Sequence, residues 1–577
     1  ISVNADAVIC VGCDPETTPW GWGGFMASKI SYFWSEIGIK QIYICPDLNY
    51  GAAIHADKWI TPLPNTDAAL WLGIAYTWIE EGTYEKEYVA THTDGFDWFE
   101  RYVMGGEDGI PKTPRWAESK CGVPAAEIKA LARYWATHNV STAHCNGGGY
   151  IRSCFSTEPA RLEVALLAMQ GVGAPGRTMF KFIEWGLFGM EGLNSLPKGE
   201  WGTFMWAAYS GHVQGTYLTS FIPQTLVPKA ILMPEGEKLT WPGRVVCNMP
   251  LEDQDVDYEF PLPGAERIHM IWTDTPCWST CWNGGNTMQE ALRDESIEFY
   301  LVQHPWMEND TLFADIILPI STKFEQDDIG TSFQCGENDM VVDELPAIDP
   351  LGEAKTDIAE KLGMAEELME EWCYSPDLKG AVAGKSGGQI APDQVGHIMG
   401  EPSFETMKRV GYEFGGCSEH MPFEKFQEKG YLPIRFKDEA DWKSDPIGMR
   451  AFYEDPENNP LETPTGKIEF YSLSIHEHWP NDPERPEVPH WIEESDEHKE
   501  RLSSDRAKDY PFLLMSNHPR WRVHAQGDDI TWFREIATCK VTGPDGYQYE
   551  PVWINPRDAE RLGIEDGDIV RLHNERG

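Results

Sequence analysis

Three aspartates stand where a parallel sheet could present them to one ligand. Asp14 follows the apolar segment 7–11, and Asp47 follows the apolar segment 41–45. Asp67 opens a long helical pattern farther along the chain. Taken singly, a loop aspartate is usually a turn former or a helix cap. Three carboxylates facing one crevice would suit the hydroxyls of a ribose and the N–H donors of a guanine, because a charged acceptor makes the stronger hydrogen bond.

A basic cluster stands out in a chain that is otherwise strongly acidic. The loop 516–529 places His518, Arg520 and His524 in the nine residues 516–524. A solvated polar loop is one interpretation of this cluster. Pyrophosphate recognition calls for such a group of cations. We therefore predict that the loop runs over an anionic cofactor and places Arg520 or His524 against a phosphate.

Two pairs of closely spaced cysteines could hold a metal or act as redox dithiols. Cys10 and Cys13 have the C-x-x-C spacing, and Cys277 and Cys281 lie farther along with tryptophans beside them. No matching C-x-x-C pair accompanies the first, and Cys10 falls inside an apolar strand pattern. Structural cysteine is therefore favoured over metal ligand in both places. The odd total of 13 cysteines also favours buried thiols in a reducing compartment over a disulfide framework.

The charge and hydropathy of the chain exclude several classes of partner. A formal net charge of −46 repels nucleic-acid phosphates and anionic lipid. A buried anionic cofactor remains compatible, because it meets only its local lining of backbone N–H groups and a few cations. No run of about 18 apolar residues occurs, so we expect no membrane span. We expect a cytoplasmic protein, with export by a twin-arginine signal outside this sequence as the alternative.

The elements that must carry these residues follow an α/β pattern. Strand and helix patterns alternate over residues 1–60, and segment 7–11 is apolar on both faces, as in a central parallel strand. Ligands of open parallel sheets bind at the carboxyl ends of the strands, so the loops holding Asp14 and Asp47 should face one crevice. A second group of strand patterns covers residues 268–272, 298–302 and 315–319.

A chain of 577 residues is too long for one core, and we predict several domains. They are an α/β dinucleotide-binding domain over residues 1–150, a glycine-rich loop, helix and cavity-lining insertion over 151–265, a second α/β domain over 266–480, and a C-terminal β-barrel over 511–577. The polar segments 376–400 and 480–510 are predicted to be surface loops and a domain boundary.

Short motifs spread over the whole chain resemble one family of enzymes. They are GCDPET at 12–17, ADKW at 56–59, NTDAAL at 65–70, GVGAPG at 171–176, NDT at 309–311, ADIILP at 314–319, and NP, DA, GI, GD and NERG between 555 and 577. Their order and spacing are similar to those of the dimethyl sulfoxide reductase family of molybdopterin enzymes.

The resemblance implies a fold, a cofactor and a partner. The implied α/β fold has two Rossmann-like domains and a β-barrel of the double-psi type. The implied cofactor is molybdenum, or tungsten, held by two molybdopterin guanine dinucleotides. A small subunit with [4Fe-4S] clusters is the implied partner. The family's protein ligand to the metal would precede Ile1, so we assign no metal ligand within this chain.

The motifs and the loop positions together give a set of candidate cofactor-binding residues at loops, strand ends and helix starts. The set consists of Gly12, Cys13, Asp14, Thr17, Asp47, Asn49, Asp67, Gly148, Gln170, Gly171, Thr273, Gln303, His304, Asn309, Asp310, Asn517, His518, Arg520 and His524.

The segments 86–90 and 516–520 are most similar to the branch of polyphenol transhydroxylases and catechol dehydroxylases, which implies a small aromatic substrate. Segment 180–188, FKFIEWGLF, suits a flat ring, because phenylalanine and tryptophan walls stack on it. Core packing is the alternative interpretation of these aromatic residues.

Segment 180–188 lacks the tyrosine that the transhydroxylases carry there, which favours reductive dehydroxylation over transhydroxylation. Trp185, Tyr209 and His212 are the candidate catalytic residues. Two other functions stay open: an oxotransferase that reduces an inorganic or S/N-oxide substrate, and a non-catalytic scaffold that binds the cofactor.

Overall fold

The computed structural model describes most of the chain and divides it into two compact units. The described residues are 1–17, 26–145, 150, 153–182, 222–242, 257–331, 340–352, 354, 409, 412, 417–433, 449–517, 520–522, 527 and 530–575. The first unit consists of Ile1–Gly189, Phe333–Asn338 and Lys437–Asn517, and the second of Met190–Ser332, Asp339–Phe436 and His518–Gly577. Part of the predicted second α/β domain thus groups with the first unit. The finer division into four domains stays a prediction.

The described strands are, in chain order, β1 (Ala7–Val11), β2 (Lys40–Ile44), β3 (Lys58–Ile60), β4 (Thr93–Asp94), β5 (Val140–Cys145), β6 (Met179–Phe182), β7 (Leu239–Pro242), β8 (Asp257–Phe260), β9 (Met270–Thr273), β10 (Phe299–His304), β11 (Ile316–Pro319), β12 (Asp328–Thr331), β13 (Met340–Glu344), β14 (Tyr431–Pro433), β15 (Ile468–Glu469), β16 (Val541–Thr542) and β17 (Gln548–Tyr549).

The described α-helices are α1 (Met26–Glu36), α2 (Tyr50–His55), α3 (Asp67–Glu81), α4 (Lys86–His92), α5 (Phe96–Val103), α6 (Pro114–Cys121), α7 (Ala125–Thr137), α8 (Thr157–Met169), α9 (Val227–Leu232), α10 (Trp278–Cys281), α11 (Gly285–Ala291), α12 (Phe423–Lys429), α13 (Arg450–Glu454), α14 (Leu473–His478), α15 (Thr531–Arg534) and α16 (Pro556–Leu562). Short 3-10 helices cover Gln224–Leu226, Asn309–Phe313, Cys417–Glu419 and Asp505–Lys508.

A parallel sheet of order β3-β2-β1-β5-β6 forms the centre of the first unit. Strand β1 lies in the middle and is fully buried, as its apolar sequence predicts. Ile9 and Val11 pack into the core on one face of the sheet, whereas Val8 and Cys10 pack into the core on the other. Burial on both faces explains why β1 carries no alternation of polar and apolar residues.

Helix α3 fills the larger of these two cores. Its N-cap is Thr66, and it ends at Gly82 in the left-handed conformation, with φ of +65°. Trp71 and Trp78 are fully buried, and both meet Trp135 of α7 edge to face. Full burial of one large apolar side chain stabilises a fold by about 1.5–3 kcal/mol, so these rings anchor α3 firmly.

Residues 480–510 form no strand or α-helix, as predicted for loops, but part of this segment is buried and does not lie at the surface. Val488 joins the core of the first unit, and Arg501 is buried. The Arg501 guanidinium donates to the backbone carbonyls of Ile492 and Asn65 and lies over the Trp491 ring, 3.8 Å from its centroid. Backbone acceptors and an aromatic face thus compensate burial of a polar segment. Segment 376–400 lies outside the described residues.

The second unit contains a parallel sheet of order β11-β10-β9. The predicted strands at 268–272, 298–302 and 315–319 match these elements to within two residues. An antiparallel sheet of order β12-β13-β14 lies in the same unit. Near the end of the chain, β16 pairs with β17, and Asn555 caps α16 through the Arg557 N–H at 3.0 Å. The arrangement of a C-terminal barrel stays a prediction.

Candidate nucleotide-binding sites

The loop after β1 is built around Asp14. The Asp14 Oδ1 atom accepts N–H groups of Gly51 at 2.9 Å, Thr17 at 3.1 Å and Glu16 at 3.2 Å. Gly12 enters the loop with φ of +54°, a conformation that glycine adopts at little cost. One carboxylate oxygen therefore ties this loop to the start of α2, so that Asp14 shapes the site whether or not it also contacts a ligand.

The loop after β2 lies against the loop after β1. Asn49 caps α2 by accepting the Ala52 N–H at 2.8 Å, and its amide donates to the Cys13 carbonyl at 3.1 Å. Asp47 accepts the Asn517 amide at 3.0 Å. Burial raises the pKa of Asp47, and the charge of Asp14 acts in the same direction. The carboxyl ends of β1 and β2 thus bring two of the three predicted aspartates together with Asn49 and Asn517.

The C-x-x-C pair beside this site has structural contacts. Cys10 and Cys13 are both fully buried, and the Cys13 thiol donates to the Ala143 carbonyl at 3.4 Å. Within the part of the chain that the structure describes, no group of three or more His, Cys, Asp or Glu side chains could hold a metal ion. These contacts support the structural interpretation of Cys10 and Cys13.

Asp67 has different neighbours from the other two aspartates. Helix α3 runs back over the sheet and packs against α8, so its first turn comes close to the end of β5. Burial raises the pKa of Asp67 to about 6, although part of its surface reaches solvent. The charges of Arg501, Glu163 and His144 also act on it.

A buried hydrogen-bonded chain next to Asp67 was missed by the sequence analysis. The Trp71 indole donates to the Tyr150 hydroxyl at 2.8 Å, and Tyr150 donates to Glu163 at 2.9 Å. His144 Nε2, at the end of β5, lies 2.8 and 2.9 Å from the two oxygens of the same carboxylate. Glu163 is fully buried, whereas 16% of the His144 side chain is exposed. The sequence signal that could have indicated this chain is Glu163, a single acidic residue within the apolar stretch 162–169 of α8.

In the second unit, Asp310 organises the loop after β9. Its carboxylate is fully buried and accepts both the Ser279 hydroxyl and the Ser279 N–H, the latter at 3.0 Å. The Asp310 N–H donates to the Pro276 carbonyl at 2.9 Å. Thr273, the last residue of β9, accepts the Thr275 N–H at 3.0 Å. Asp310 and Thr273 therefore lie together at the carboxyl edge of the second sheet, as predicted for α/β ligand sites.

The loop after β10 adds further polar groups at this edge. His304 Nδ1 lies 3.0 Å from the Trp306 carbonyl oxygen and 3.2 Å from the Trp306 backbone nitrogen, and burial lowers the His304 pKa. Gln303 accepts the Trp272 indole N–H at 3.2 Å. Asn309 opens the 3-10 helix that follows. The predicted residues Thr273, Gln303, His304, Asn309 and Asp310 therefore all lie on strands or loops at this edge of the second sheet.

Comparison with known proteins identifies the family. Residues 3–360 match the family model described as molybdopterin oxidoreductase, and residues 512–577 match the Molydopterin dinucleotide binding domain. The chain belongs to the molybdopterin oxidoreductase family. Its predicted membership is thereby confirmed, and the dinucleotide-binding match indicates a molybdopterin dinucleotide as its cofactor.

Relatives of this molybdopterin oxidoreductase include two kinds of enzyme. The chain is 30% identical to the pyrogallol hydroxytransferase large subunit of Pelobacter acidigallici, over 100% of this chain and 67% of the relative. It is 29% identical to the dimethyl sulfoxide/trimethylamine N-oxide reductase of Rhodobacter capsulatus, over 100% of this chain and 63% of the relative. The chain therefore spans about two thirds of the length of these relatives.

A solved structure supports the α/β fold of this family member. The acetylene hydratase from Pelobacter acetylenicus matches with a TM-score of 0.53 and 14% sequence identity, over 98% of this chain and 67% of the hydratase. At this identity the likeness concerns the fold alone. None of the helices that the structure describes is long and apolar enough to cross a membrane.

Two predicted cofactor-binding residues lie away from the carboxyl edge of the first sheet. Helix α8 runs from the end of β5 back toward the start of β6, so Gln170 and Gly171 lie at the amino edge. A Cβ on Gly176, in the same loop, would come within 2.5 Å of the Asn4 carbonyl, so this glycine permits close packing. The Gln170 side-chain amide nitrogen is buried without a hydrogen-bond partner among the described residues, and the cofactor role of Gln170 stays a prediction.

Of the predicted basic cluster, Arg520 lies within the described residues. Its side chain is exposed, and its guanidinium carbon lies 5.3 Å from the centroid of the Trp521 ring. The residues outside the described part of the chain are Gly148, His518 and His524 of the cofactor-binding set and the catalytic candidates Trp185, Tyr209 and His212.

Proposed function

We propose that this chain is the large catalytic subunit of a molybdenum enzyme that removes hydroxyl groups from an aromatic polyphenol by reduction. The observation that carries the proposal is its 30% identity to a pyrogallol hydroxytransferase large subunit along the whole of this chain. In this proposal the metal, molybdenum or tungsten, is held by two molybdopterin guanine dinucleotides.

The donor sets at the two sheet edges fit such dinucleotides. Asp47 and Asp67 are partly buried carboxylates whose pKa values are raised by burial. Guanine N–H donors would stabilise their ionised forms, because hydrogen bonds to a buried carboxylate compensate its lost solvation. Arg501 would supply the positive charge that a phosphate requires, and His144, held in place by Glu163, would offer its other ring nitrogen as a hydrogen-bonding group.

The second dinucleotide is proposed to bind at the edge of the second sheet. Asp310 fixes the loop at Ser279, and Thr273 ends β9 beside it. Glu308 accepts the Gly527 N–H at 2.6 Å, which brings the C-terminal segment to this edge. When bound, the cofactor would supply two-electron redox chemistry and oxygen-atom transfer, while the protein supplies orientation and exclusion of water.

Electrons for a reduction must come from outside this chain. The hydroxytransferase relative is described as a large subunit. We propose a small partner subunit with [4Fe-4S] clusters that delivers electrons in pairs to the metal. A cytoplasmic location is proposed from the abundance of cysteine thiols, with twin-arginine export as the alternative.

An oxotransferase that reduces S- or N-oxides is the second candidate function, because a dimethyl sulfoxide/trimethylamine N-oxide reductase is 29% identical over the whole chain. The aromatic segment 180–188 favours the polyphenol, since its rings suit stacking on a flat substrate. This segment carries no tyrosine hydroxyl, which favours reduction over exchange of hydroxyls between two phenols.

Turnover on a catechol or pyrogallol ring is expected to consume an external electron donor. We expect the native enzyme to oxidise reduced viologen when either phenol is added, and to release a ring with one hydroxyl fewer. Transhydroxylation is redox-neutral overall and would consume no donor. The assay follows viologen absorbance together with the phenols by chromatography.

Controls separate the competing functions in the same assay. Dimethyl sulfoxide and trimethylamine N-oxide should oxidise viologen much more slowly than the phenols. Hydroxyl exchange between two phenols at full rate without a reductant would contradict the dehydroxylase and establish a transhydroxylase. Fast reduction of the oxides with inert phenols would establish the second candidate function.

A further inference from the structure

Two cysteines lie close together at α10 of the second unit: Cys277 immediately precedes this short helix, and Cys281 is its last residue. The Sγ atoms of Cys277 and Cys281 are 3.2 Å apart. Cys277 is the N-cap of α10, and its carbonyl accepts the Cys281 N–H at 2.8 Å. One helical turn between the two residues places their Cα atoms at about 6 Å, inside the range of about 4.4–6.8 Å that disulfides span. A disulfide would need the two sulfur atoms to approach by little more than 1 Å, to about 2.05 Å.

We propose that Cys277 and Cys281 form a reversible disulfide by exchange with a small-molecule disulfide such as oxidised glutathione. Cys281 is partly exposed, whereas Cys277 is buried. The Cys281 thiolate attacks the small disulfide and releases one small thiol. The Cys277 thiolate then attacks the Cys281 sulfur of the mixed disulfide and releases the second thiol. Two protein thiols are oxidised and one small disulfide is reduced to two thiols.

The difference in exposure sets the order of the steps. Thiol exchange requires access of the attacking sulfur to the reagent. Cys10 and Cys13 have closer spacing in the sequence but are both fully buried within the first unit. They provide an internal comparison, because two cysteines that are close in sequence but not exposed should not react with the small disulfide.

The bridge has a consequence for the proposed cofactor site. Ser279 lies between the two cysteines, and Asp310 holds it through both its N–H and its hydroxyl. A Cys277–Cys281 bridge would restrain this loop in its observed position and slow release of a dinucleotide bound there. This consequence rests on the proposed function, whereas formation of the bridge does not.

Peptide mass spectrometry tests the bridge directly. Cleavage after Arg267 and Arg293 yields a peptide whose cysteines are Cys277 and Cys281 alone, and cleavage after Lys29 yields one containing Cys10 and Cys13. The native enzyme is incubated with oxidised glutathione, alkylated and digested. We expect peptide 268–293 to lose about 2 Da, to resist alkylation and to recover with dithiothreitol, while peptide 1–29 stays fully alkylated.

Two single variants test the order of attack. Cys277→Ser should accumulate a stable glutathione adduct on Cys281, because the resolving thiol is gone. Cys281→Ser should give neither adduct nor bridge, because Cys277 is buried. The proposal is overturned if peptide 268–293 stays alkylatable, if glutathione stays on Cys281 of the unsubstituted enzyme, or if peptide 1–29 oxidises equally. An enzyme that forms the bridge but purifies without a guanine nucleotide would refute the proposed function and leave the dithiol standing.

Discussion

Replacing Glu163 with leucine is expected to lower the free energy of unfolding by about 3–5 kcal/mol. The carboxylate is fully buried and accepts from Tyr150, which in turn accepts the Trp71 indole N–H. Leucine would leave the Tyr150 hydroxyl and His144 Nε2 without their acceptor inside the protein. Removal of one partner from a buried hydrogen-bonded network costs more than the network contributes, because the remaining polar groups stay desolvated.

A graded series makes this prediction specific. Glu163→Gln keeps one acceptor oxygen and should cost about 1–3 kcal/mol. Glu118→Gln, on the exposed face of α6, should stay within about 0.5 kcal/mol of the parent. Urea unfolding gives the free energies, and hydrogen exchange of α8 gives a local readout. Equal stability of Glu163→Leu and the parent would show that the buried chain contributes nothing to the fold.

Asp67→Asn is expected to release a guanine nucleotide and at the same time to stabilise the nucleotide-free chain at pH 7. The pKa of Asp67 is raised from its ordinary value of 3.8 to about 6. The fold therefore favours the protonated acid, so its contribution to stability is present below pH 4 and is lost as the pH rises through 6. Asparagine should remove this pH dependence and add about 1–3 kcal/mol at pH 7, since part of the side chain reaches solvent.

The control for this substitution is Asp97→Asn. Asp97 also stands in the first turn of a helix, α5, but is exposed. It should change neither nucleotide content nor the pH profile of stability between 4 and 7. Nucleotide is released by acid and quantified by chromatography. Full nucleotide retention in Asp67→Asn would show that Asp67 does not bind the cofactor. A pH profile of stability equal to that of the parent would contradict the claim that burial raises the pKa of Asp67.

Local patterns predicted much of the first sheet because one physical cause dominated each of them. Strand β1 is apolar on both faces because both faces are buried. The loop at Asp14 was predicted from turn-forming residues, and its backbone hydrogen bonds follow from that chemistry. Motif order along the chain predicted the family, which the family models confirm.

Tertiary neighbours were harder to predict. Asp67 was grouped with Asp14 and Asp47 because all three follow strands of one sheet. Asp67 begins α3 and lies near Glu163 and His144 at the end of β5, and nothing local to residues 65–70 encodes these neighbours. Residues 480–510 were predicted to be polar surface loops, yet Arg501 of this segment is buried. Backbone carbonyls accept hydrogen bonds from its guanidinium, which lies over the Trp491 ring. Hydrogen bonds between a buried side chain and backbone that is distant in the sequence leave no periodic pattern from which they could be predicted.

The central claim is that this chain holds a metal between two guanine dinucleotides, and metal analysis of the native enzyme tests it most directly. Elemental mass spectrometry measures molybdenum and tungsten, and chromatography after acid hydrolysis measures guanine nucleotide in the same sample. We expect one metal atom and two guanine nucleotides for each chain. A native enzyme with neither metal in stoichiometric amount would contradict the claim and identify the chain as a scaffold without catalytic metal.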